Sequence, residues 1–587
     1  MDDDDGLNNN STEIQAEFIK YINPNIKDSE ASSYIFHVLF LNYAKQQKFI
    51  FIFLLIIIIT IWASKIYIFD NAITELTMNV TKGTQPVVIL YIIGIIIAIK
   101  FLLDFFQYIS EYITSNIVPN YNTYLRTLII EKIYYKFNDN FNLSISYTTF
   151  LQILFDLCYH LRHVLLYFLN DFLVIVIAVI IKLSYMYNIH IKLFYITLIS
   201  IFISLFIIYY YSKEIIEASS IRSKITNNIN KNIYNNFENL LNIYVNNKIN
   251  DEMKYTRILE NKFNNAYQHQ LHSIDNFSNV VNVFFTIVYS ILIMTSFYLY
   301  KNKQITSEQF VNIIIILNTY IIFFSENINS IPHVFLTPIG TLFNFYDTLV
   351  FLFEDDILQY TTQQNNNNNL IKNIDNWNIT IDKLSFRYNI DTKYIFDNFS
   401  YQINEKDIVL IKGQSGIGKS TFAKILVRLF NNYTGKIYID NHDLQNIDIE
   451  YIRNNITYVS QNNILYDLSV IDNIQYGNNK TSNEIIKYLQ DTQLDILFDK
   501  LPDKLHTEFS SSNPKFSYGM QKIILLLRGI FRKSKIIIFD EPLNGLDPIT
   551  KAKIIKIINE LSKNKTVIII THNNEFDNTN HKLISLK

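Results

Sequence analysis

Long apolar runs alternate with polar segments over the N-terminal part of the chain. Six runs lie at about residues 49–69, 86–106, 164–187, 193–211, 280–300 and 310–328. Each is close to the ~20 apolar residues that an α-helix needs to cross the hydrocarbon core of a membrane. The pattern therefore predicts six membrane-spanning helices in a transmembrane domain at residues 35–353. Helices buried inside a soluble protein are the alternative, which fits the sixth run better than the first five.

The polar segments between these runs differ greatly in length. The third and fourth runs are separated by a few residues near Asn188, and the fifth and sixth by "KNKQITSEQ". Segments 107–163 and 212–279 are far longer and keep helical periodicity, so half of each, ~25 residues at ~1.5 Å, would project nearly ~40 Å from the membrane. They carry more basic residues than the external loops, so the positive-inside rule places them and both termini in the cytosol.

The character of the chain changes after the sixth run. Residues 354–378 include "QQNNNNNLIKN", a low-complexity polar stretch that is typical of a linker. Residues 379–587 alternate short apolar strands with helices, which predicts an α/β domain with a largely parallel sheet. Residues 1–34 begin with the acidic "MDDDDGLNNNST", which lacks the basic region of a secretory signal, so we expect a disordered or amphipathic N-terminal segment.

The net charge and the cysteine count reduce the number of partners and sites that need to be considered. The formal net charge of −2 gives no support for a nucleic-acid partner, whereas the apolar runs make the lipid bilayer a partner. The single cysteine, Cys158, excludes an intramolecular disulfide and a cysteine metal cluster.

Glycine is rare in this chain, with 12 in 587 residues, yet three lie together in "IVLIKGQSGIGKSTFAKIL". The arrangement Gly413-x4-Gly418-Lys419-Ser420 falls between a predicted buried strand and a predicted helix, which is the context of a P-loop. Such a loop wraps a phosphate chain with its backbone N–H groups, the lysine reaches the β- and γ-phosphates, and the serine hydroxyl holds Mg²⁺. The alternative is a glycine turn at a helix start. The sequence therefore predicts a site for a nucleotide and Mg²⁺.

Two further apolar strands end in polar residues. "KSKIIIFDEP" places Asp540 for a water-mediated contact with Mg²⁺ and Glu541 for activation of an attacking water. "KTVIIITHN" ends in His572. Surface charge is the alternative for the two acids, and a polar cap on a strand is the alternative for the histidine. The P-loop in the same domain favours a functional role for all three residues, with Glu541 as a catalytic residue of a hydrolytic site.

Together these motifs resemble the ABC transporters of the exporter type, and specifically a half-transporter with one membrane domain followed by one nucleotide-binding domain. The resemblance covers about residues 35–587 and implies an ATP hydrolase that exports an unidentified substrate by alternating access. It also implies roles for individual residues, and makes His572 a second catalytic residue, the switch histidine that contacts the γ-phosphate. Tyr388 in "LSFRYN" would stack on adenine, Gln461 would contact Mg²⁺ and sense the membrane domain, and Asp547 in "NGLD" would be the D-loop aspartate. The remaining ATP-binding residues it implies are Gly413, Ser415, Gly416, Gly418, Lys419, Ser420 and Thr421.

The signature motif of that family departs from its usual Leu-Ser-Gly-Gly-Gln. In "FSYGMQKIILLLRGI", Ser517 and Gly519 remain to contact ATP held by the opposite domain, but Tyr518 replaces a glycine and Met520 replaces the glutamine. If Tyr518 needs a positive φ, the backbone is strained.

The resemblance implies that two nucleotide domains are needed. A second copy of the chain is the default partner, because most oligomers are symmetric. The altered signature leaves a related half-transporter as the alternative partner, with this chain as a poorly hydrolysing subunit. An ATP-gated regulatory membrane protein without transport is the third possibility, and Glu541 and His572 argue against it.

Overall fold

The computed structural model describes residues 27–83, 85–138, 153–362, 370–388, 393–414, 416–461, 464–510, 516–572, 575–576 and 581–586. The predicted N-terminal segment up to residue 26 and the asparagine run at 363–369 lie outside these residues. The chain divides into two compact units. The apolar helical unit comprises Met1–Ile133 and Ile145–Asn365, and the α/β unit comprises Tyr134–Ser144 and Asn366–Lys587.

The described residues of the apolar helical unit form helices joined by short turns. They are α1 Asp28–Gln46, α2 Lys48–Ser64, α3 Asp70–Thr81, α4 Pro86–Asn138, α5 Leu154–Ile189, α6 Ile191–Glu238, α7 Leu240–Val245, α8 Ile249–Lys301, α9 Ser307–Phe343 and α10 Tyr346–Thr362. Short π-helical segments occur at Lys65–Phe69 between α2 and α3, at Phe168–Phe172 within α5 and at Pro332–Leu336 within α9. Helix α10 continues into the segment that the sequence predicts as a linker.

Five of these helices, α4, α5, α6, α8 and α9, are long and apolar enough to cross a membrane. The pair α1 and α2 passes the same test together but bends by 81°, which gives up to six spans in the described part of the chain. Large apolar side chains such as Phe49 and Phe101 are more than 70% exposed. Exposed apolar surface on this scale is suited to lipid contact, and the predicted helical membrane unit is confirmed.

The short connections between spans follow from local capping chemistry. The Thr306 side chain accepts a hydrogen bond from the Gln309 backbone N–H, and the Gln309 side chain accepts one from the Thr306 N–H, so α9 begins with a capping box. The His190 side chain accepts a bond from the Lys192 N–H and caps α6. These caps satisfy N–H groups that a helix end leaves unpaired, which allows tight turns between antiparallel helices.

The α/β unit contains two sheets. Its strands are β1 Ile379–Phe386, β2 Phe396–Ile403, β3 Ile408–Lys412, β4 Thr434–Ile439, β5 His442–Asp443, β6 Ile456–Val459, β7 Ile536–Asp540, β8 Thr566–Ile570 and β9 Lys582–Ser585. The first sheet is antiparallel in the order β2-β1-β4-β5, and the second is parallel in the order β6-β7-β8-β3-β9. Its helices are α11 Lys419–Leu426, α12 Ile449–Asn455, α13 Val470–Gln475, α14 Ser482–Thr492, α15 Tyr518–Ile530 and α16 Pro548–Leu561.

The parallel sheet positions the functional residues. Strands β7 and β8 read Ile-Ile-Ile-Phe-Asp and Thr-Val-Ile-Ile-Ile and are buried along their whole length, as expected for strands covered on both faces. Because the strands are parallel, their carboxyl ends meet at one edge of the sheet, where ligands of open α/β sheets bind. The residues that follow β3, β6, β7 and β8 therefore converge. The predicted α/β fold is confirmed.

Candidate functional site

The P-loop joins the end of β3 to the start of α11. Gly418 has φ 109° and is the N-cap of α11, a left-handed conformation that favours glycine. A β-carbon on Gly418 would lie 2.2 Å from Ile395 Cγ2, so a side chain is also excluded by contact. The Lys419 ammonium donates to the carbonyl oxygens of Gly413 at 2.8 Å and Gln414 at 3.0 Å. Ser415 lies outside the described residues.

The two acids at the end of β7, where Asp540 is the last residue of the strand and Glu541 follows it, form the opposite wall. Asp540 is 2% exposed and Glu541 is 6% exposed. The Glu541 N–H donates to the Ile570 carbonyl at 2.9 Å, so its backbone is fixed to the neighbouring strand. Glu541 has φ 52°, a left-handed conformation that non-glycine residues rarely adopt. Such conformations are concentrated at functional sites, where the surrounding structure holds them.

His572 contacts Glu541 directly. The distance between His572 Nδ1 and Glu541 Oε1 is 2.8 Å, and Thr571 Oγ1 lies 3.5 Å from Glu541 Oε2. The histidine is held at the end of β8, next to β7, so the parallel pairing brings the two side chains together. A carboxylate fixed by an imidazole in this way is oriented for proton transfer.

Tyr458 belongs to the site although sequence analysis did not identify it. Its hydroxyl donates to Asp540 Oδ2 at 2.9 Å and also hydrogen-bonds to Ser420. Burial and the neighbouring Asp540 raise the pKa of Tyr458, so the phenol keeps its proton and acts as the donor to Asp540. The tyrosine therefore connects the two side chains that are expected to hold Mg²⁺. The only signal in the sequence was its place on β6, three residues before Gln461.

A buried lysine lies behind the two acids and was also missed. Lys522 on α15 is 2% exposed, and its Nζ donates to the Asp540 carbonyl at 3.4 Å. Burial lowers the pKa of Lys522, while Asp540 and Glu541 act in the opposite direction. Its ammonium compensates part of the negative charge that the two carboxylates bring into the interior.

Tyr388 lies at the edge of the same cavity. Its hydroxyl is 2.7 Å from Thr421 Oγ1, and its ring packs edge-on against Phe386 and Phe430. The cavity has a volume of about 650 Å³. Its lining brings together most of the sequence-predicted residues: Tyr388, Gly413, Gly416, Gly418, Lys419, Ser420, Thr421, Gln461, Asp540, Glu541 and His572, with Gln414 and Ile395 in addition.

The donor set of this cavity fits a nucleotide with Mg²⁺. Ser420, Gln461 and Asp540 offer hydroxyl, amide and carboxylate oxygens, the hard ligands that Mg²⁺ prefers. A β-carbon on Gly416 would meet no atom within 4 Å, so there is open space beside the loop at this residue. Among the described residues no group of three or more histidine, cysteine, aspartate and glutamate side chains could hold a metal by itself.

The signature residues lie at the start of α15 and are not among the described residues that line the cavity. Ser517 is the N-cap of α15, and its Oγ accepts a bond from the Met520 N–H at 3.2 Å. Tyr518 is the first helical residue and does not have a positive φ, so the strain considered from the sequence does not arise. Its ring packs against Gly545, where a β-carbon would lie 2.4 Å from Tyr518 Cδ1.

Asp547 caps the next helix. Its Oδ1 accepts bonds from the N–H groups of Ile549 at 3.1 Å and Thr550 at 3.0 Å, which begins α16. Hydrogen bonds from Thr550 lower the pKa of Asp547, so the cap is ionised. The aspartate thus fixes the position of the loop that carries Gly545.

Comparison with known proteins agrees with this geometry. Residues 396–544 match the family model described as ABC transporter. The chain is 33% identical over 220 residues to the alpha-hemolysin translocation ATP-binding protein HlyB of Escherichia coli O157:H7, which covers 37% of this chain and 31% of that protein. It is 35% identical over 183 residues to the ABC transporter ATM1 of Plasmodium falciparum, covering 31% of this chain and 17% of that protein.

The chain thus spans about a third or less of the length of these curated relatives. A solved structure titled as a bacterial Atm1-family ABC exporter with ATP bound is similar in fold, with a TM-score of 0.79 at 15% identity. That likeness covers 93% of this chain and 94% of the other. The α/β unit therefore carries an ABC transporter domain, the two units have an exporter-type fold, and the resemblance inferred from the sequence is confirmed.

Proposed function

We propose that this chain is one half of an ATP-driven exporter that acts as a two-fold dimer in a membrane. The observation that carries the proposal is the convergence of Lys419, Ser420, Asp540 and Glu541 on one cavity, in a chain whose other unit is apolar and helical. The exporter-type fold and the ABC transporter match support it. Both termini would lie in the cytosol, on the side of the basic helical extensions.

The residues of the cavity have distinct roles in binding. Lys419 would exchange its bonds to two loop carbonyls for phosphate oxygens, and Tyr388 would leave Thr421 to stack on adenine. Ser420 and Gln461 would hold Mg²⁺ directly, and Asp540 would hold it through water. Bound Mg²⁺ supplies positive charge to the phosphate oxygens.

Hydrolysis would depend on Glu541. The carboxylate is the base that takes a proton from the attacking water, and His572 holds it in position through the 2.8 Å contact. The left-handed backbone of Glu541 and its N–H bond to Ile570 fix the direction of the side chain before the nucleotide binds. Such preorganisation avoids reorganisation during the reaction.

Two copies would be needed because the signature residues of one copy lie outside its own cavity. Ser517 and Gly519 would contact ATP held by the partner, so closing two α/β units around ATP completes both sites. ATP can favour the closed state only by binding it more tightly than the open state. That difference would drive the helical units between inward- and outward-open forms.

A second candidate is a poorly hydrolysing subunit of a heterodimer. The observation that favours it is Tyr518, whose side chain is 55% exposed on the surface where the family has glycine. An ATP-gated regulatory protein without transport is not favoured, because it has no use for the paired Glu541 and His572.

The test is Mg²⁺-dependent ATP hydrolysis by the full chain in lipid nanodiscs. Turnover that is lost in both Glu541→Gln and Lys419→Ala would support an autonomous ATPase. ATP binding without turnover above that of Glu541→Gln would rule out the homodimeric pump. Turnover that appears only with a co-expressed related half-transporter would establish the heterodimer instead.

A further inference from the structure

A second cavity lies wholly within the apolar helical unit. It has a volume of about 390 Å³ and is bounded by α2, the segment Lys65–Phe69, α4 and α5. Part of its wall is apolar, with Ile58, Trp62, Leu103 and Leu169. The polar and ionisable part has side chains from α4, from the segment after α2 and, with Asn170, from α5. An apolar cavity with a few charged groups is the usual form of a small-molecule site.

Lys65 is the distinctive group in this wall. Its ammonium lies over the Trp62 ring, 4.8 Å from the centroid. Among the described residues it forms no ion pair or hydrogen bond, although the charges of Asp70 and Lys100 act on it. A cation that lies on an aromatic face and donates no hydrogen bond retains most of its capacity to donate to a ligand.

The ionisable residues that line the cavity are Lys65, Lys100, Asp104 and Glu111. Lys100 is paired with Asp104 at 2.7 Å, so these two charges compensate each other. Asp70, which does not line the cavity, acts electrostatically on both Lys65 and the buried Lys182. Of the two cations in the wall, Lys65 is therefore the one without an ion pair among the described residues, and the positive end of the cavity is the end that Lys65 occupies.

This charge lies within the membrane-spanning part of the unit. Lys65 belongs to the apolar run at residues 49–69, and Lys100, whose charge acts on it, belongs to the run at 86–106. Ionisable residues inside such runs are costly and mark ligand pathways.

The opposite end of the cavity is negatively charged. Glu111 accepts a hydrogen bond from Gln107 at 3.0 Å, and its carboxylate lies ~16 Å along α4 from Lys100. A ligand with a negative group at each end would meet like charge there. The two ends therefore select for a single negative charge, located at the Lys65 end.

We propose that this cavity binds a monoanionic amphiphile, with its carboxylate, sulfonate or phosphate group on Lys65 and its apolar body against Trp62, Ile58 and Leu103. If the ligand is the exported solute, the proposal rests on the proposed function and gives its substrate class. The same chemistry could be supplied by the headgroup of an anionic membrane lipid. The cavity itself is a binding site in either case.

Equilibrium binding of tritiated 1-naphthalenesulfonate to the full chain in phosphatidylcholine nanodiscs tests the proposal, with empty nanodiscs as background. Naphthalenemethanol and 1-naphthylmethylammonium carry the same apolar body without the negative charge. We expect the sulfonate to bind more tightly than both. Equal binding of the three compounds would overturn the proposal.

Variants of Lys65 test whether the sulfonate group binds at this residue. Lys65→Met should weaken sulfonate binding by about tenfold or more, the usual effect of losing a hydrogen bond to a charged group, and Lys65→Arg should retain it. Lys192→Met is the matched control, because Lys192 also lies over an aromatic ring, that of Tyr298 at 5.6 Å, and does not line this cavity. Undiminished binding in a folded Lys65→Met protein that still binds ATP would overturn the proposal.

Nanodiscs that contain phosphatidylglycerol separate the two sources of the anion. If phosphatidylglycerol lowers sulfonate binding to the unmodified chain but not to Lys65→Met, the site binds a lipid headgroup. If phosphatidylglycerol does not lower sulfonate binding, the site binds a solute. Both results require an anion site at Lys65. Binding is measured without ATP, so a chain that fails to hydrolyse ATP can still pass this test.

Discussion

Replacing Gly545 by alanine should displace Tyr518 in the signature motif at the start of α15, and Gly477→Ala provides a matched control. The two glycines have nearly the same backbone, with φ 75° and φ 77°. A β-carbon at Gly545 would lie 2.4 Å from Tyr518 Cδ1, whereas at Gly477 it would meet no atom within 4 Å. The left-handed backbone costs an alanine ~1–2 kcal/mol at either position. Only Gly545→Ala adds a steric term.

The steric term can be bounded from the exposure of the tyrosine. Overpacking costs ~1–3 kcal/mol, and the Tyr518 ring, 55% exposed, can swing outward, so we expect the lower part of that range, ~1–2 kcal/mol. For a domain of this size each kcal/mol lowers Tm by ~2–4 °C. Gly545→Ala should therefore unfold ~2–8 °C below Gly477→Ala. It should also hydrolyse ATP more slowly, because the ring is displaced from the signature.

The assay is thermal unfolding of the full chain in nanodiscs, followed by the fluorescence of Trp377, which is buried in the α/β unit. A Trp62→Phe background removes the other tryptophan signal. Adding Tyr518→Ala should abolish the difference between the two glycine variants, since the clashing ring is gone. Equal Tm values for Gly545→Ala and Gly477→Ala, or a difference that survives Tyr518→Ala, would refute the reasoning.

Three further predictions concern the cavity of the α/β unit. Glu541→Gln should lower kcat by ~10²–10⁴-fold while ATP binding measured at equilibrium stays unchanged, because a base is removed and no nucleotide contact is lost. Tyr458→Phe should raise the Mg²⁺ concentration for half-maximal turnover by about 2–10-fold, the equivalent of one hydrogen bond to Asp540, as a Mg²⁺ titration would show. Burial lowers the pKa of Lys522 in the folded state, so between that lowered pKa and 10.5 the unfolded chain binds more protons than the folded chain. Raising the pH over this range therefore favours the folded state, and Lys522 should make a contribution to the Tm of the α/β unit that increases with pH. A pH series of Tm should show that Lys522→Met lacks this contribution, and equal slopes in both proteins would contradict the assignment.

The parts of the site that the sequence predicted are contiguous along the chain. The P-loop, Asp540 with Glu541, and His572 each occupy a strand end or the turn after it, so the motif and its structural context are read together. Tyr458 and Lys522 could not be predicted, because their roles depend on contacts with Asp540 across 82 and 18 residues of chain. The packing of Tyr518 on Gly545 could not be predicted either, because it too joins residues that are distant along the chain.

The apolar helical unit shows a second limit. Spans are recognised from run length, but the face that a side chain occupies depends on helical phase. Asp171 is an ionisable residue within the third apolar run, yet among the described residues its neighbour Asn170 lines the cavity. The π-helical segment Phe168–Phe172 changes the phase at this point, and nothing in the sequence pattern predicts it. The role proposed for Lys65 likewise depends on its position over the Trp62 ring, which the sequence does not predict.

The left-handed backbone at Glu541 implies a trade between activity and heat resistance. A glycine at this position would adopt φ 52° without steric cost, so Glu541→Gly should raise the unfolding temperature of the α/β unit by relieving about 1 kcal/mol or more. The same change removes the base that the reaction needs. Selection for thermal stability alone would therefore favour an inert domain, and only selection for turnover maintains a glutamate here.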